Sequence, residues 1–354
     1  MPKAPSFTTN NVRSLDELRT WLATSREEIL EPALPIVDPH HHLRETAHGR
    51  YLVPELADDL ASGHNIRATV FVDSQTGHRR DGPAVTRPVG ETEFVLQSLA
   101  APAASRASAW NPCAGIVGNL DLTFGAAVRE ALEAHIAAAQ GRFRGIRDPL
   151  MWDGSDINYG VRRPPPDRMN DPRFRAGFAE LAPLRLTFDA WLFHAQLPLL
   201  TDLARSFPAT TIILNHVGAP LGVGPYAGRR AEIFDEWRKS LAELARCPNV
   251  VVKVGGLGML FFGFGFEHRD VPASSDELAA AWRPYVETCI DTFGHDRCMF
   301  ESNFPVDKQT CSWTTLWNAF KRIVAAHSDA EKARLFFGTA NEVYRLGLAP
   351  SAAS

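Results

Sequence analysis

Short apolar runs rich in Val, Ile and Phe recur along the chain, separated by longer stretches whose apolar residues fall three and four apart. Eight runs read as strands: "PIVDPHHHL" (35–43), "RATVFVDS" (67–74), "AGIVGNLDL" (114–122), "FRGIRD" (143–148), "RLTFDAWLF" (185–193), "TTIILNHVG" (210–218), "NVVVKVGGL" (249–257) and "RCMFESNFP" (297–305). Stretches between them, such as "FGAAVREALEAHIAAAQ" and "SSDELAAAWRPYVETCIDTFG", carry helix-capping residues and are long enough for right-handed crossovers between parallel strands. Eight strand-helix units predict an α/β chain folded as a (β/α)8 TIM barrel. Ahead of it, Ser14 and Glu17 form an S-x-x-E capping box, followed by apolar Leu15, Leu18, Trp21, Leu22 and Ile29 at helical spacing. The expected organisation is an N-terminal helical extension over 1–34, the barrel over 35–348 and a frayed tail over 349–354.

Two connections exceed simple turns: the Pro-rich segment 149–172 and the Gly- and Phe-rich segment 258–272. Both follow strands, so in a barrel they lie on the C-terminal face, where long ordered loops commonly act as lids or substrate walls. The string "FFGFGF" would be costly to expose, so Phe264 and its neighbours are expected to close over a pocket. "GFG" lacks the continuation and following helix of a dinucleotide fingerprint.

With 45% hydrophobic and 22% charged residues, the chain has the composition of an ordinary globular protein. No apolar run reaches the roughly 18 residues a membrane span needs. A net charge of -4 without basic clusters offers no footprint for nucleic acid. The expected partner is therefore a small molecule, and a homo-oligomer is compatible with the sequence. The first residues lack the apolar core of a secretory signal, which makes the cytoplasm the expected location. Five scattered cysteines without CxxC spacing read as reduced, buried thiols.

Candidate chemistry clusters at strand ends. Side chains alternate along a strand, so Asp38, His40 and His42 should share one face and His41 the other. H-x-H at a barrel rim can converge on one metal ion or one substrate oxygen. His216 and His194 close two further strands, and Glu301 and Asn303 share a face of the eighth, with Asp307 just beyond. Each alone has a structural explanation, as a core histidine, a cap or an ion pair. Together, on the ends of different strands, they mark a site. Arg147, nearer the rim than Arg144, could hold a substrate carboxylate by bidentate hydrogen bonds. Lys253, amid valines, is a second candidate cation, or else one half of an interior pair with Glu301 or Asp38.

"VDPHHHL", "FRGIRD", "FDAWLFHAQLP", "LNHVG", "ESNFPVDK" and "FFGTANEVYRL" occur in an order that resembles the amidohydrolase superfamily. More narrowly the chain resembles the amidohydrolase-2 branch, with its pyrone-dicarboxylate, sulfomuconolactone and sugar-lactone hydrolases. The resemblance spans about 35–348 and implies a distorted barrel that hydrolyses a lactone or similar ester, with a carboxylate-bearing substrate expected. It matches His40, His42 and His216 to ligands of one divalent metal, zinc first among the choices, or to groups that polarise the carbonyl directly in metal-free members. It also exposes a departure, because the strand-eight Asp of "GSDWP" is Asn303 here. Glu301 or Asp307 would have to supply the carboxylate that activates water, and Glu301 is preferred because a Glu in an apolar strand end is expensive to bury without a partner. Metal-dependent decarboxylation of an aromatic acid and an inactive metabolite-binding barrel are the alternatives.

Overall fold

The computed structural model describes residues 12–46, 49–155, 157 and 164–349. Each of the eight apolar runs holds one strand of a single sheet, the second of them starting two residues early: β1 (Pro35–His41), β2 (Asn65–Val72), β3 (Gly115–Asn119), β4 (Phe143–Arg147), β5 (Thr187–Ala190), β6 (Ile212–Leu214), β7 (Val250–Val254) and β8 (Cys298–Phe300). The strands follow one another in sequence order, every neighbouring pair parallel. Between β8 and β1 the ring is closed just past the strand ends, where Asn303 N–H donates to His40 O at 2.8 Å and His42 N–H to Phe304 O at 2.7 Å.

A helix follows each strand, as right-handed parallel crossovers require. Numbered after the N-terminal helix α1 (Leu15–Leu22), they are α2 (Val53–Leu60), α3 (Val89–Ala100), α4 (Val128–Ala138), α5 (Pro172–Ala179), α6 (Leu197–Ser206), α7 (Arg230–Ala245), α8 (Ser275–Phe293) and α9 (Trp313–Ile323). The capping box at Ser14 and Glu17 is present, and a second at Ser274 and Glu277 opens α8. No helix among the described residues is long and apolar enough to cross a membrane.

Strand alternation sorts the side chains into two cores. Val37, Ala68, Val70, Val72, Val117, Ile213, Val251 and Met299 pack inside the barrel, where Phe337, Ala340 and Tyr344 from the C-terminal helices join them. Ile36, Phe71, Ile116, Ile146, Phe188, Ile212, Val250, Val252 and Phe300 pack outward against the helical layer. On β7 this places Lys253 on the inward side with Val251, and on β8 it directs Glu301 inward two residues past Met299. All five cysteines are free and buried.

In β1 the alternation breaks where it bears on the site. The register of β1 slips between Asp38 and His41, around Pro39, so Asp38 does not share a face with His40 as even spacing predicts. Its carboxylate instead accepts the Ser302 N–H at 2.9 Å and the Ser302 hydroxyl at 2.6 Å, a tie across the β1–β8 closure. His41 faces outward, its Nε2 2.8 Å from Thr69 Oγ1.

Candidate active site

The centre of the site is a carboxylate between two imidazoles. Glu301 is fully buried; its Oε1 lies 2.7 Å from His216 Nδ1 and 3.2 Å from the His216 backbone N–H, and its Oε2 lies 2.8 Å from His40 Nδ1. The three side chains, from β1, the loop after β6 and the end of β8, offer ligand atoms within 4.8 Å of one another. Trp191 stands edge-on to His216, with ring centroids 4.7 Å apart, and Phe261 packs against Trp191.

The backbone is shaped to allow this. His216 and Val217 have φ of 53° and 51°, a left-handed conformation that is rare for a β-branched residue and marks local strain. Facing them, Gly256 has φ of 66°, and a Cβ there would stand 2.4 Å from His216 Nδ1. A Cβ on Gly255 would meet Glu301 Cγ at 2.5 Å. The paired glycines of "VKVGGL" are thus what lets His216 and Glu301 lie against the β7 backbone.

Two buried cations flank His40. Lys253 Nζ donates to Asp189 Oδ1 at 2.6 Å and lies 3.2 Å from His40 Nδ1. Asp189 also accepts from Asn215 Nδ2 at 2.9 Å and from the Tyr344 hydroxyl at 3.1 Å. Arg147 pairs through Nε with Asp73, donates from Nη2 to the Asp73 carbonyl at 2.6 Å, and turns Nη1 toward His40 Nε2 at 3.3 Å. Burial and these cations hold His40 and His216 well below the usual imidazole pKa, so both rings are neutral near pH 7. Burial pushes Glu301 up to about 8, with Lys253 and the His216 N–H pulling the other way.

The donor set fits a divalent metal. Neutral imidazoles and a carboxylate are the ligands zinc takes in catalytic sites. Glu301 Oε2 also lacks a well-directed hydrogen bond among the described residues, which leaves it open to a cation.

Several expected positions are corrected. His42 does not join the ligand cluster, because its Nδ1 is tied to Val72 O at 2.9 Å and its Nε2 faces Asn303 at 3.3 Å. Glu301 takes its place. Lys253 is fully buried and neutralised by Asp189, not by Glu301 or Asp38, so it is no free anchor for a substrate. Arg147 does point inward, but two of its three nitrogens are engaged by Asp73. His194 lies apart from the cluster: its Nδ1 accepts the Leu221 N–H at 3.4 Å, and its ring packs edge-on to Tyr226. Phe264 turns away, stacked under Arg230 and against Tyr285 on α8, and Phe261 is the residue of that loop that approaches the site. Asp307 touches Asn303 and the Gly258 N–H, not the histidine cluster. Of the Pro-rich segment, residues 156 and 158–163 lie outside the described residues; its exit is pinned by Arg168 on Asp148 at 2.8 Å and Asp121 at 2.7 Å.

Asp73, Asp189, Tyr344 and Trp191 have no place in the sequence reading. Asp189 carried a usable signal, since a lone carboxylate in "LTFDAWLF" needs a partner as much as the lone Lys253 in "VVVKVGG" does.

A closed eight-stranded barrel with histidines and a carboxylate gathered at the C-terminal strand ends defines an amidohydrolase-type centre, and residues 37–346 match the amidohydrolase family, to which the chain belongs. Among its relatives is the uncharacterized protein y4mH of Sinorhizobium fredii, 33% identical over 88% of this chain and 99% of that protein. L-fucono-1,5-lactonase of Burkholderia ambifaria is 29% identical over 77% of this chain and 81% of its own length. A solved amidohydrolase from Burkholderia multivorans with bound zinc shares the fold at a TM-score of 0.65 and 24% identity, covering 88% of this chain and 99% of that one.

Proposed function

We propose that the protein hydrolyses a small, neutral, hydroxyl-rich lactone of the sugar-acid type. The observation that carries this reading is the His216–Glu301 pair at 2.7 Å inside an amidohydrolase barrel. The lactonase relatives support the reaction class. A neutral substrate is favoured because Lys253 and Arg147, the two cations that flank His40, are both committed to aspartates, which argues against their anchoring a dicarboxylate lactone.

Glu301 accepts the Nδ1–H of His216, which leaves the lone pair on Nε2. Through Nε2, His216 takes a proton from the water that attacks the lactone carbonyl and returns it to the ring oxygen as that bond breaks, giving the hydroxy acid. The aromatic wall of Trp191 and Phe261 excludes bulk water from the reacting groups. In a metal-loaded form His40, His216 and Glu301 would instead hold a divalent ion, with His216 as ligand rather than base, and the ion would supply Lewis-acid polarisation of the carbonyl. The zinc-bound relative supports testing that metal first.

The test is a panel of aldonic 1,4- and 1,5-lactones, dicarboxylate lactones and hydroxybenzoates, assayed by acid release and by carbon dioxide release, with metal content measured before and after chelation. Acid release from sugar lactones is expected. Carbon dioxide release from an aromatic acid without lactone opening would replace this reading with decarboxylation. Full activity in metal-free protein would remove the metal from it.

A further inference from the structure

His42 Nδ1 lies 2.9 Å from the carbonyl oxygen of Val72. A carbonyl only accepts, so Nδ1 carries a proton, and in the neutral ring Nε2 then keeps the lone pair. Yet Nε2 stands 3.3 Å from Asn303 Oδ1, one acceptor facing another. At the other end of the amide, Asn303 Nδ2 is 2.8 Å from Asp307 Oδ1. The oxygen and nitrogen of an amide have the same shape, and only the hydrogen-bond network decides which way round they lie. Turned by half a rotation, the amide gives an N–H to the His42 lone pair. Its oxygen then meets Asp307, and that carboxyl must bring the proton.

The surroundings of Asp307 agree. It is fully buried; its second oxygen accepts the Gly258 N–H at 2.9 Å, and no basic side chain hydrogen-bonds to it among the described residues. The adjacent Lys308 is committed to Asp59 at 2.7 Å. A carboxylate held dry without a counter-charge is costly, whereas the neutral acid satisfies every partner present. Burial accordingly drives this group well above the ordinary range for aspartate.

We propose that Asp307 is a positioning residue held as the neutral acid: its O–H donates to Asn303 Oδ1, Asn303 Nδ2 donates to His42 Nε2, and His42 Nδ1 donates to Val72 O. Three uncharged hydrogen bonds then run from beyond β8, through His42 just past β1, to the end of β2. They lock the imidazole of His42 beside His40, with ring centroids 5.0 Å apart, and occupy the lone pair it would need to bind a metal. Asn303, with φ of 55°, sits in a conformation that asparagine tolerates well. The proposal draws on the hydrolytic reading only for its kinetic consequence.

Asp307→Asn decides it, because an amide there can still donate to Asn303 and accept from Gly258. Infrared difference spectra of wild type minus Asp307→Asn at neutral pH should show a protonated carboxyl band. On whichever lactone the panel identifies, Asp307→Asn should keep kcat and KM within about threefold, while Asp307→Ala loses at least roughly tenfold in kcat. Absence of the band, or an Asp307→Asn enzyme as impaired as Asp307→Ala, would overturn the proposal. Should Asp307→Asn not fold, 15N NMR of histidine-labelled wild type, with the His42 signals assigned by their loss in His42→Gln, reads the same point. A neutral Nδ1–H ring is expected, and an imidazolium would place the proton on His42 instead. Neither spectroscopic arm needs a substrate, so a failure of the hydrolytic reading is separable from a failure of this one.

Discussion

Gly256 and Glu301 set the geometry of His216 from opposite sides. Gly256→Ala would drive a methyl group into the imidazole, 2.4 Å from Nδ1, at a backbone φ that alanine also resists. It should abolish turnover while leaving a folded barrel, as judged by circular dichroism and steady-state kinetics. Glu301→Gln keeps the shape and an acceptor for the His216 Nδ1–H but removes the carboxylate charge that would stabilise the imidazolium formed when His216 takes a proton, and kcat should fall about 10²- to 10⁴-fold, the usual worth of general acid–base catalysis. An unimpaired Glu301→Gln enzyme would remove Glu301 from the mechanism. At this scale the sequence was readable where a charge stood alone among apolar residues: Glu301 and Lys253 had to be paired, and they are. It was unreadable where backbone irregularity intervenes. The slip at Pro39 parts Asp38 from His40; a proline inside a strand marks such a bulge, but even alternation overlooks it. Nor does spacing show that Phe261 rather than Phe264 approaches the site, because two left-handed glycines, Gly263 and Gly265, set the course of that loop.

Between elements, the Lys253–Asp189 pair ties β7 to β5 in a fully buried setting. Lys253→Met should cost about 3–5 kcal/mol, because Asp189 is left as an uncompensated buried charge. Adding Asp189→Asn, which keeps an acceptor for the Tyr344 hydroxyl, should recover much of that loss. Denaturant unfolding of both single variants and the double variant measures the coupling, and simple additivity would refute it. A second tie holds the segment after α1. From α9, Lys321 Nζ donates to Leu30 O at 2.7 Å and Glu31 O at 3.0 Å, with His64 Nδ1 2.9 Å away. Burial lowers its pKa from the ordinary lysine value of 10.5 to about 8, so between those values the unfolded chain binds more protons than the folded one. Stability contributed by Lys321 therefore rises with pH across that window. The melting-temperature gap between wild type and Lys321→Met should widen from pH 8 to 10.5; a constant gap would contradict the assignment. The eight strand-helix units were legible because two periodicities, two and 3.6, alternate along the chain. The ties between them were not, since each joins residues distant in sequence.

Across the whole molecule, the closure of the ring has a consequence for how the protein acquires activity. His42 and Asn303 are 261 residues apart in the chain, yet they meet where β1 and β8 are joined. The half of the site carried by His40 and the half carried by Glu301 are brought together only where that seam forms. Pairings of such long range are intrinsically slow, because the chain loses the entropy of a large loop before the contact rewards it. After dilution from denaturant, helical circular dichroism should return first and turnover later, with the lag shortened or lengthened by substitutions at the Asp38–Ser302 seam. Turnover would then serve as a clock for the final step of folding, one that starts only when the first strand finds the last.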